Sequence, residues 1–234
     1  MRARRVRALL MGGQACVFYG AAEFSRDTDF AIFADTANLV RLRKALADLQ
    51  ADPIAVPPFA LKYLRRGHAI HFRCQHPEAF RMRVDVMSKM RGVAAFPKIW
   101  TRRTTLELPD GTRCDLLALP DLVQAKKTQR DKDWPMIRRL VEAHYFDHLP
   151  QSTSFQIRFW FAELRTPELL IELARRHPAP CQRQASRRPL LNLAAAGELR
   201  ELEKALLVEE SAERERDRNY WEPLRAELER LRHS

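Results

Sequence analysis

The sequence predicts an α+β protein, with a mixed sheet and flanking helices in its first part and a helical region after it. Short apolar segments with period-two alternation recur up to residue 117, whereas after Leu119 the apolar residues recur every three or four positions. A Gly12-Gly13 pair separates the first apolar segment from a short helical one. We expect two domains, residues 1–150 and residues 151–234.

The individual elements follow from the same patterns. Strands are expected at residues 6–11, 30–33, 69–73, 82–87, 104–108 and 112–117. The last two strands flank Pro109-Asp110-Gly111, whose glycine tolerates the positive φ of a tight turn, so they should form a hairpin.

Helices should alternate with these strands and then follow them. They are expected at residues 14–19, 36–49, 120–127, 134–144, 155–164, 168–176, 197–218 and 220–232. Thr36 is the predicted N-cap of the second helix. Residues 178–189, rich in proline and arginine, should interrupt the helical part.

The charge is concentrated in the first part of the chain. The net charge is +11, and residues 1–150 hold 26 Lys and Arg against 16 Asp and Glu, whereas the rest holds 15 against 14. A basic field of this kind attracts polyanions such as nucleoside triphosphates and RNA.

Neither membrane insertion nor a disulfide framework is expected. No run of eighteen apolar residues is present, and the basic N-terminus is followed by too few apolar residues for a signal peptide. The four cysteines are far apart and none forms a Cys-x-x-Cys pair. These observations predict a cytoplasmic protein without a membrane partner.

Three aspartates form the candidate catalytic group. Asp27 and Asp29 are one residue apart at the entrance of a strand and should point the same way, which is unfavourable unless a cation lies between them. Asp85 lies in a separate strand between Val84 and Val86, and an acid in a buried strand needs a partner. Carboxylate oxygens suit Mg²⁺, so the three acids predict a site for two such ions. The alternative for Asp27 and Asp29 is a pair of solvated acids that cap a turn.

Gly12 and Gly13 are candidate phosphate contacts. Glycine permits a close approach of the backbone, and the start of a helix offers unpaired N–H groups to triphosphate oxygens.

Gly12-Gly13-Gln14-Ala15, Gly20, Asp27-Thr28-Asp29 and Asp85 together resemble the minimal nucleotidyltransferase branch of the DNA polymerase β-like superfamily. The resemblance covers residues 6–148. It implies a polymerase β-like fold and transfer of NMP from an NTP such as ATP to an acceptor hydroxyl, with release of pyrophosphate. It also implies that the three aspartates are catalytic metal ligands and that Ser25, in the loop before them, contacts the nucleotide.

The segment from Lys126 to Asp133 resembles the basic helical motif of the AbiEii-type toxin group within that branch. The resemblance implies that Lys126 contacts the triphosphate, with Arg130, Lys132 and Asp133 behind it. It also suggests a toxin–antitoxin or phage-defence setting.

The acceptor is left open by the sequence. RNA such as a tRNA end, a protein hydroxyl and a small molecule are the three candidates, and the basic first part favours RNA. The competing function is a non-catalytic scaffold that keeps the fold and binds nucleic acid or protein. A kinase is disfavoured because neither a Walker P-loop nor a kinase glycine loop is present.

Overall fold

A computed structural model of the chain describes residues 1–233. In that part of the chain the fold is α+β, with a seven-stranded mixed sheet and eleven α-helices. The chain divides into two compact units: Met1–Ala125 together with the chain from Asn219 onward, and Lys126–Arg218. The first boundary between the compact units is therefore at Lys126. The predicted domain boundary at residue 150 stays a prediction.

The sheet belongs to the first unit. Its strands are β1 (Ala8–Met11), β2 (Asp27–Ile32), β3 (Ala51–Pro53), β4 (Ile70–Cys74), β5 (Arg83–Met87), β6 (Thr104–Glu107) and β7 (Arg113–Leu116). Their order is β3-β4-β5-β2-β1-β7-β6. The pairs β2/β5 and β1/β7 are parallel and the others antiparallel. Strand β2 therefore lies between β5 and β1, in the centre of the sheet.

The helices of the first unit are α1 (Gly12–Phe18), α2 (Thr36–Asp48), α3 (Leu61–Arg66), α4 (Phe96–Thr101) and α5 (Leu119–Lys126), whose last residue belongs to the second unit. The second unit holds α6 (Asp133–His148), α7 (Ser154–Glu163), α8 (Pro167–Arg176), α9 (Pro178–Ala185) and α10 (Leu191–Ala196). Helix α11 (Leu199–Arg232) contributes residues to both units. Between residues 1 and 233, no helix is both long enough and apolar enough to cross a membrane.

One face of the sheet packs against α2 and forms a hydrophobic core. Alternate residues of β2, β4 and β5 point into it, including Ile32, Phe72 and Val84, and meet Leu42 and Leu46 of α2. Because side chains alternate along a strand, the residues between them point to the opposite face. That opposite face carries the acids of β2 and β5.

The six predicted strands are all present, but the sequence missed β3. This strand has only three residues, ends in Pro53 and lies at the edge of the sheet. Proline cannot donate to a strand ladder, so a proline-containing stretch is a weak strand signal and is tolerated at an edge.

Several helix predictions were wrong in detail. The short helices α3, α4 and α10 were missed, and α9 occupies most of the predicted break at residues 178–189. Asp35 caps α2 instead of Thr36, because its Oδ1 accepts from the Asn38 backbone N–H at 2.6 Å. Helix α11 is continuous from Leu199 to Arg232, where two helices, residues 197–218 and 220–232, were expected.

Asn38 is a buried polar side chain that ties α2 to two strand ends. Its Oδ1 accepts from the Arg7 backbone N–H at 2.8 Å, and its Nδ2 donates to the carbonyls of Arg7 at 3.0 Å and Phe33 at 2.9 Å. Arg7 precedes β1 and Phe33 follows β2, so one amide holds both chains beside the helix.

The substitution Asn38→Leu should lower the free energy of unfolding by about 3 kcal/mol, because it leaves buried backbone groups without partners. Urea denaturation measures this loss. The control Asn192→Leu, at an exposed position of α10, should change stability by less than about 0.5 kcal/mol. Equal effects of the two substitutions would contradict the role of the Asn38 amide.

His144 of α6 is held in its neutral form. Trp160 Nε1 donates to His144 Nδ1 at 3.0 Å, and because an indole N–H can only donate, that imidazole nitrogen carries no proton. The ring also stacks on His148 with centroids 4.3 Å apart. Burial, together with repulsion from a charged His148, lowers the pKa of His144 to about 4.

The pKa of His144 predicts a pH dependence of stability. The unfolded chain binds a proton at this site below about pH 6.5, whereas the folded chain does so only below about pH 4, so stability is lost as pH falls through that window. Allowing for solvent at a half-buried ring, the loss should be about 1–2 kcal/mol. Urea denaturation between pH 7 and pH 4 measures it, and the His144→Asn variant should show a shallower slope. An unchanged slope would contradict the assignment.

Candidate metal and nucleotide site

The three predicted acids share one face of the sheet. Asp27 and Asp29 lie within β2, which begins at Asp27, so they form part of the strand and do not merely precede it. Asp29 is paired in register with Asp85 of the parallel strand β5. Adjacent strands lie about 4.8 Å apart, so these two carboxylates start from neighbouring positions.

Asp85 is held by two cationic or donor groups on the same face. His71 of β4 is its cross-strand partner, with Nδ1 2.8 Å from Asp85 Oδ1. Arg83 Nε donates to the same oxygen at 2.9 Å. Arg83 also approaches His71 Nδ1 at 3.0 Å, and since one nitrogen cannot donate and accept at once, the tautomer with a proton on Nδ1 is the one that serves Asp85.

These contacts keep Asp85 ionised. Burial by itself would raise the pKa of the Asp85 carboxyl, but the hydrogen bonds from His71 and Arg83 outweigh it and hold the pKa below its usual value. The guanidinium of Arg83 is in turn stabilised by Asp85 and by the more distant Asp27 and Asp29, which raise its pKa.

Gly12 makes room for Asp29. Met11 is the cross-strand partner of Asp29, and Gly12 follows it with a φ of +67°. A Cβ added at Gly12 would overlap the Asp29 carboxylate and lie 2.8 Å from the Asp29 Cβ. Only glycine fits here, for both backbone conformation and space.

Gly13 makes room for Ser25 in the same way. A Cβ at Gly13 would overlap the Ser25 hydroxyl and lie 2.9 Å from the Ser25 Cβ. Ser25 Oγ donates to the Asp27 carbonyl at 3.1 Å, and Gln14 Nε2 donates to the Ser25 carbonyl at 2.9 Å. Ser25 and Gln14 thereby fix the loop that leads into the acids.

The predicted basic segment lies at the start of the second unit and converges on Asp133. Lys126 is buried, and its Nζ donates to Asp133 Oδ1 at 3.0 Å. Thr128 Oγ1 and Arg130 Nε donate to Oδ2 at 2.6 and 2.8 Å. Burial would raise the pKa of Asp133, but Lys126, Thr128 and Arg130 lower it overall. Lys132 is exposed and precedes α6.

The donor chemistry of the acid face fits a hard cation. Asp27, Asp29 and Asp85 present carboxylate oxygens, the ligands that Mg²⁺ prefers. Over residues 1–233, however, no group of three or more His, Cys, Asp or Glu side chains is already arranged to hold a metal. The bonds from Arg83 and His71 direct the Asp85 carboxylate toward protein donors.

Comparison with known proteins adds no relative: no family model matches the chain, and no curated protein matches it. The resemblance to nucleotidyltransferases therefore rests on the sequence motifs given above.

His71 and Gln14 are site residues that the sequence did not single out. His71 lies in a predicted strand, two residues from Arg73, on the face opposite Ile70 and Phe72. The alternation of apolar and polar residues along β4 could have placed His71 on the polar face. The register of β4 with β5, which the sequence does not show, is needed to place it beside Asp85.

The substitution Gly12→Ala should destabilise the first unit through Asp29. The matched control is Gly20→Ala, because Gly20 has a similar φ of +72° but open space around an added Cβ. Both variants incur the strain of positive φ, and Gly12→Ala should cost about 1–3 kcal/mol more because of overpacking. Urea denaturation compares them, and equal losses would mean that Asp29 is not confined by Gly12.

Proposed function

We propose that this chain is a Mg²⁺-dependent nucleotidyltransferase that transfers NMP from an NTP to an acceptor hydroxyl. The observation that supports this most is the register of β2 with β5, which sets Asp29 beside Asp85 while Asp27 shares their face. A scaffold has no need for three carboxylates on one face, whereas phosphoryl transfer needs negative ligands for metal ions.

The residues would divide the work as follows. Mg²⁺, when bound by Asp27, Asp29 and Asp85, would neutralise charge on the triphosphate. Asp85 would accept the proton of the acceptor hydroxyl as its oxygen attacks the α-phosphorus, and pyrophosphate would leave with the electron pair of the broken P–O bond. Gly12 and Gly13 would let the phosphates approach the backbone closely.

The basic segment is a proposed second contact for the triphosphate. Lys126 is bonded to the buried Asp133, so a phosphate contact would have to share its ammonium group with that carboxylate. Lys132 is exposed and open to an anionic ligand, whereas the exposed Arg130, like Lys126, would have to share its charge with Asp133.

RNA is the acceptor class that the charge favours, with a tRNA end, a protein hydroxyl and a small molecule as candidates. The chain carries a net charge of +11, most of it in residues 1–150. A basic surface brings polyanions to it at rates that fall with salt. A toxin–antitoxin or phage-defence setting is part of the same proposal.

One observation favours the second candidate, a non-catalytic nucleic-acid or protein scaffold. Arg83 and His71 satisfy Asp85 without a metal, as structural ion pairs do. In a scaffold these bonds would be permanent, whereas in an enzyme Asp85 must exchange them for metal and acceptor.

The deciding experiment incubates the full chain with Mg²⁺, each α-³²P-labelled NTP, total RNA and cell extract. We expect label on an acceptor, reduced about a hundredfold or more in Asp29→Asn, because loss of a metal ligand costs at least as much as loss of its supporting contacts. The matched control is Asp52→Asn, an exposed acid of β3, which should transfer normally.

A parallel binding assay separates the two candidates. Mg²⁺-dependent binding of a fluorescent ATP analogue, weakened in Asp29→Asn, supports the enzyme. Salt-sensitive RNA binding that needs no metal, with no labelled product and no triphosphate binding, would establish the scaffold and exclude the transferase.

A further inference from the structure

The second unit contains a cleft of about 820 Å³, which we call the Arg165 cleft. Its apolar lining includes Trp134, Pro167, Leu206 and Leu207. Leu207 is 66% exposed, so part of this apolar surface is open to solvent. The volume lies within the range of small-molecule sites.

Arg165 brings a buried positive charge to this cleft. Its side chain is only 8% exposed, and its guanidinium lies 4.6 Å from the centre of the Trp134 ring. Two of its nitrogens, Nε and Nη1, are buried without a hydrogen-bond partner. A buried guanidinium normally has its donors bonded, so these two are unusual.

The nearest carboxylate is already engaged. Glu209 Oε2 is 3.3 Å from Arg165 Nη1, but Arg188 donates to both oxygens of Glu209, at 2.9 and 2.8 Å. Arg188 is as buried as Arg165, so two buried guanidinium groups share one carboxylate.

The other nearby acids are bonded elsewhere. Glu163 is bonded to Lys127 at 2.9 Å, and Arg214 is bonded to Glu210 at 2.6 Å and also to Asp131. The Nε of Arg165 therefore stays buried without an acceptor, which is unfavourable unless an anion supplies one.

Exposed side chains of both signs line the cleft as well, among them Arg200 and Glu203. Arg200 has no acidic partner among residues 1–233, unlike the lining Lys204, which pairs with Glu201 at 2.8 Å. Arg200 is therefore a second cation that an anion in the cleft could contact.

We propose that the Arg165 cleft binds a small amphipathic anion. Its carboxylate or phosphate group accepts a charge-assisted hydrogen bond from Arg165 Nε, while Nη1 stays beside Glu209 Oε2. Its apolar body lies against Leu206, Leu207 and Pro167. This site is independent of the proposed transferase chemistry, since all its lining residues lie in Lys126–Arg218.

A small molecule fits these observations better than a protein helix. The donor without an acceptor, Arg165 Nε, is buried at one point that a single anionic group could reach, whereas a helix docks mainly through a row of apolar anchors. The cleft volume also matches a ligand of limited size.

The test is a fluorescence titration of the full chain with anilinonaphthalene sulfonate, a probe with one anionic group on an apolar body. We expect one saturable site, with affinity reduced about tenfold or more in Arg165→Met, because charged hydrogen bonds are lost. Leu207→Glu, at an exposed position, should weaken binding without affecting folding. The matched control Arg216→Gln, an exposed arginine of α11 outside the cleft, should bind as the unchanged chain does.

Competition identifies the anionic group. Displacement by octanoate indicates a carboxylate ligand, and displacement by octyl phosphate but not by inorganic phosphate indicates a phosphate on an apolar body. Equal probe binding by all variants, or no displacement by either competitor, would overturn the proposal. Self-association of the chain that the probe abolishes would assign the cleft to a protein segment and would also overturn it.

Discussion

Carboxylates on neighbouring strands repel each other, and the sheet of the first unit places Asp29 directly beside Asp85 in its central parallel pair. The surrounding residues respond to this constraint. Gly12 leaves space for the Asp29 carboxylate, Arg83 neutralises Asp85, and Arg83 and His71 together orient it. The hydrophobic core on the opposite face, including Val84 and Val86, stabilises the register that brings the acids together. Hydrophobic packing on the other face of the sheet therefore offsets the cost of bringing these charged side chains together.

The second unit handles buried charge in two different ways. Asp133 is bonded by Lys126, Thr128 and Arg130, so its cost of burial is offset within the protein. Arg165 instead shares Glu209 with Arg188 and keeps two nitrogens without hydrogen bonds. In a structural ion pair, the hydrogen-bond donors and acceptors of both side chains are typically bonded within the protein. A buried guanidinium with unbonded nitrogens beside an open cleft instead indicates a position for an external anion. Asp133 and Arg165 both belong to the second unit, and both side chains are buried.

Sequence patterns predicted the α+β class, the six main strands and the shared face of Asp27 and Asp29, because period-two alternation is a local property. They could not predict His71 beside Asp85, which depends on the register of β4 with β5. Residues on α11 and near α8 that meet at Arg165 are likewise distant in sequence. The predicted interruption at residue 219 was wrong, because the helical pattern continues through it and α11 extends from Leu199 to Arg232.

Arg83 links the two candidate functions. Its pKa is raised by its hydrogen bond to Asp85 and by attraction from Asp85, Asp27 and Asp29, so it experiences the negative potential that would attract a metal ion. A divalent ion would gain about twice the Coulomb energy of a guanidinium at the same distance, opposed by the cost of removing its water. In the proposed enzyme, a triphosphate would favour the exchange in two ways, because it would bring its own Mg²⁺ and would offer Arg83 a new anionic partner. The Arg83–Asp85 bond would then keep the acids compatible with folding until substrate replaced it.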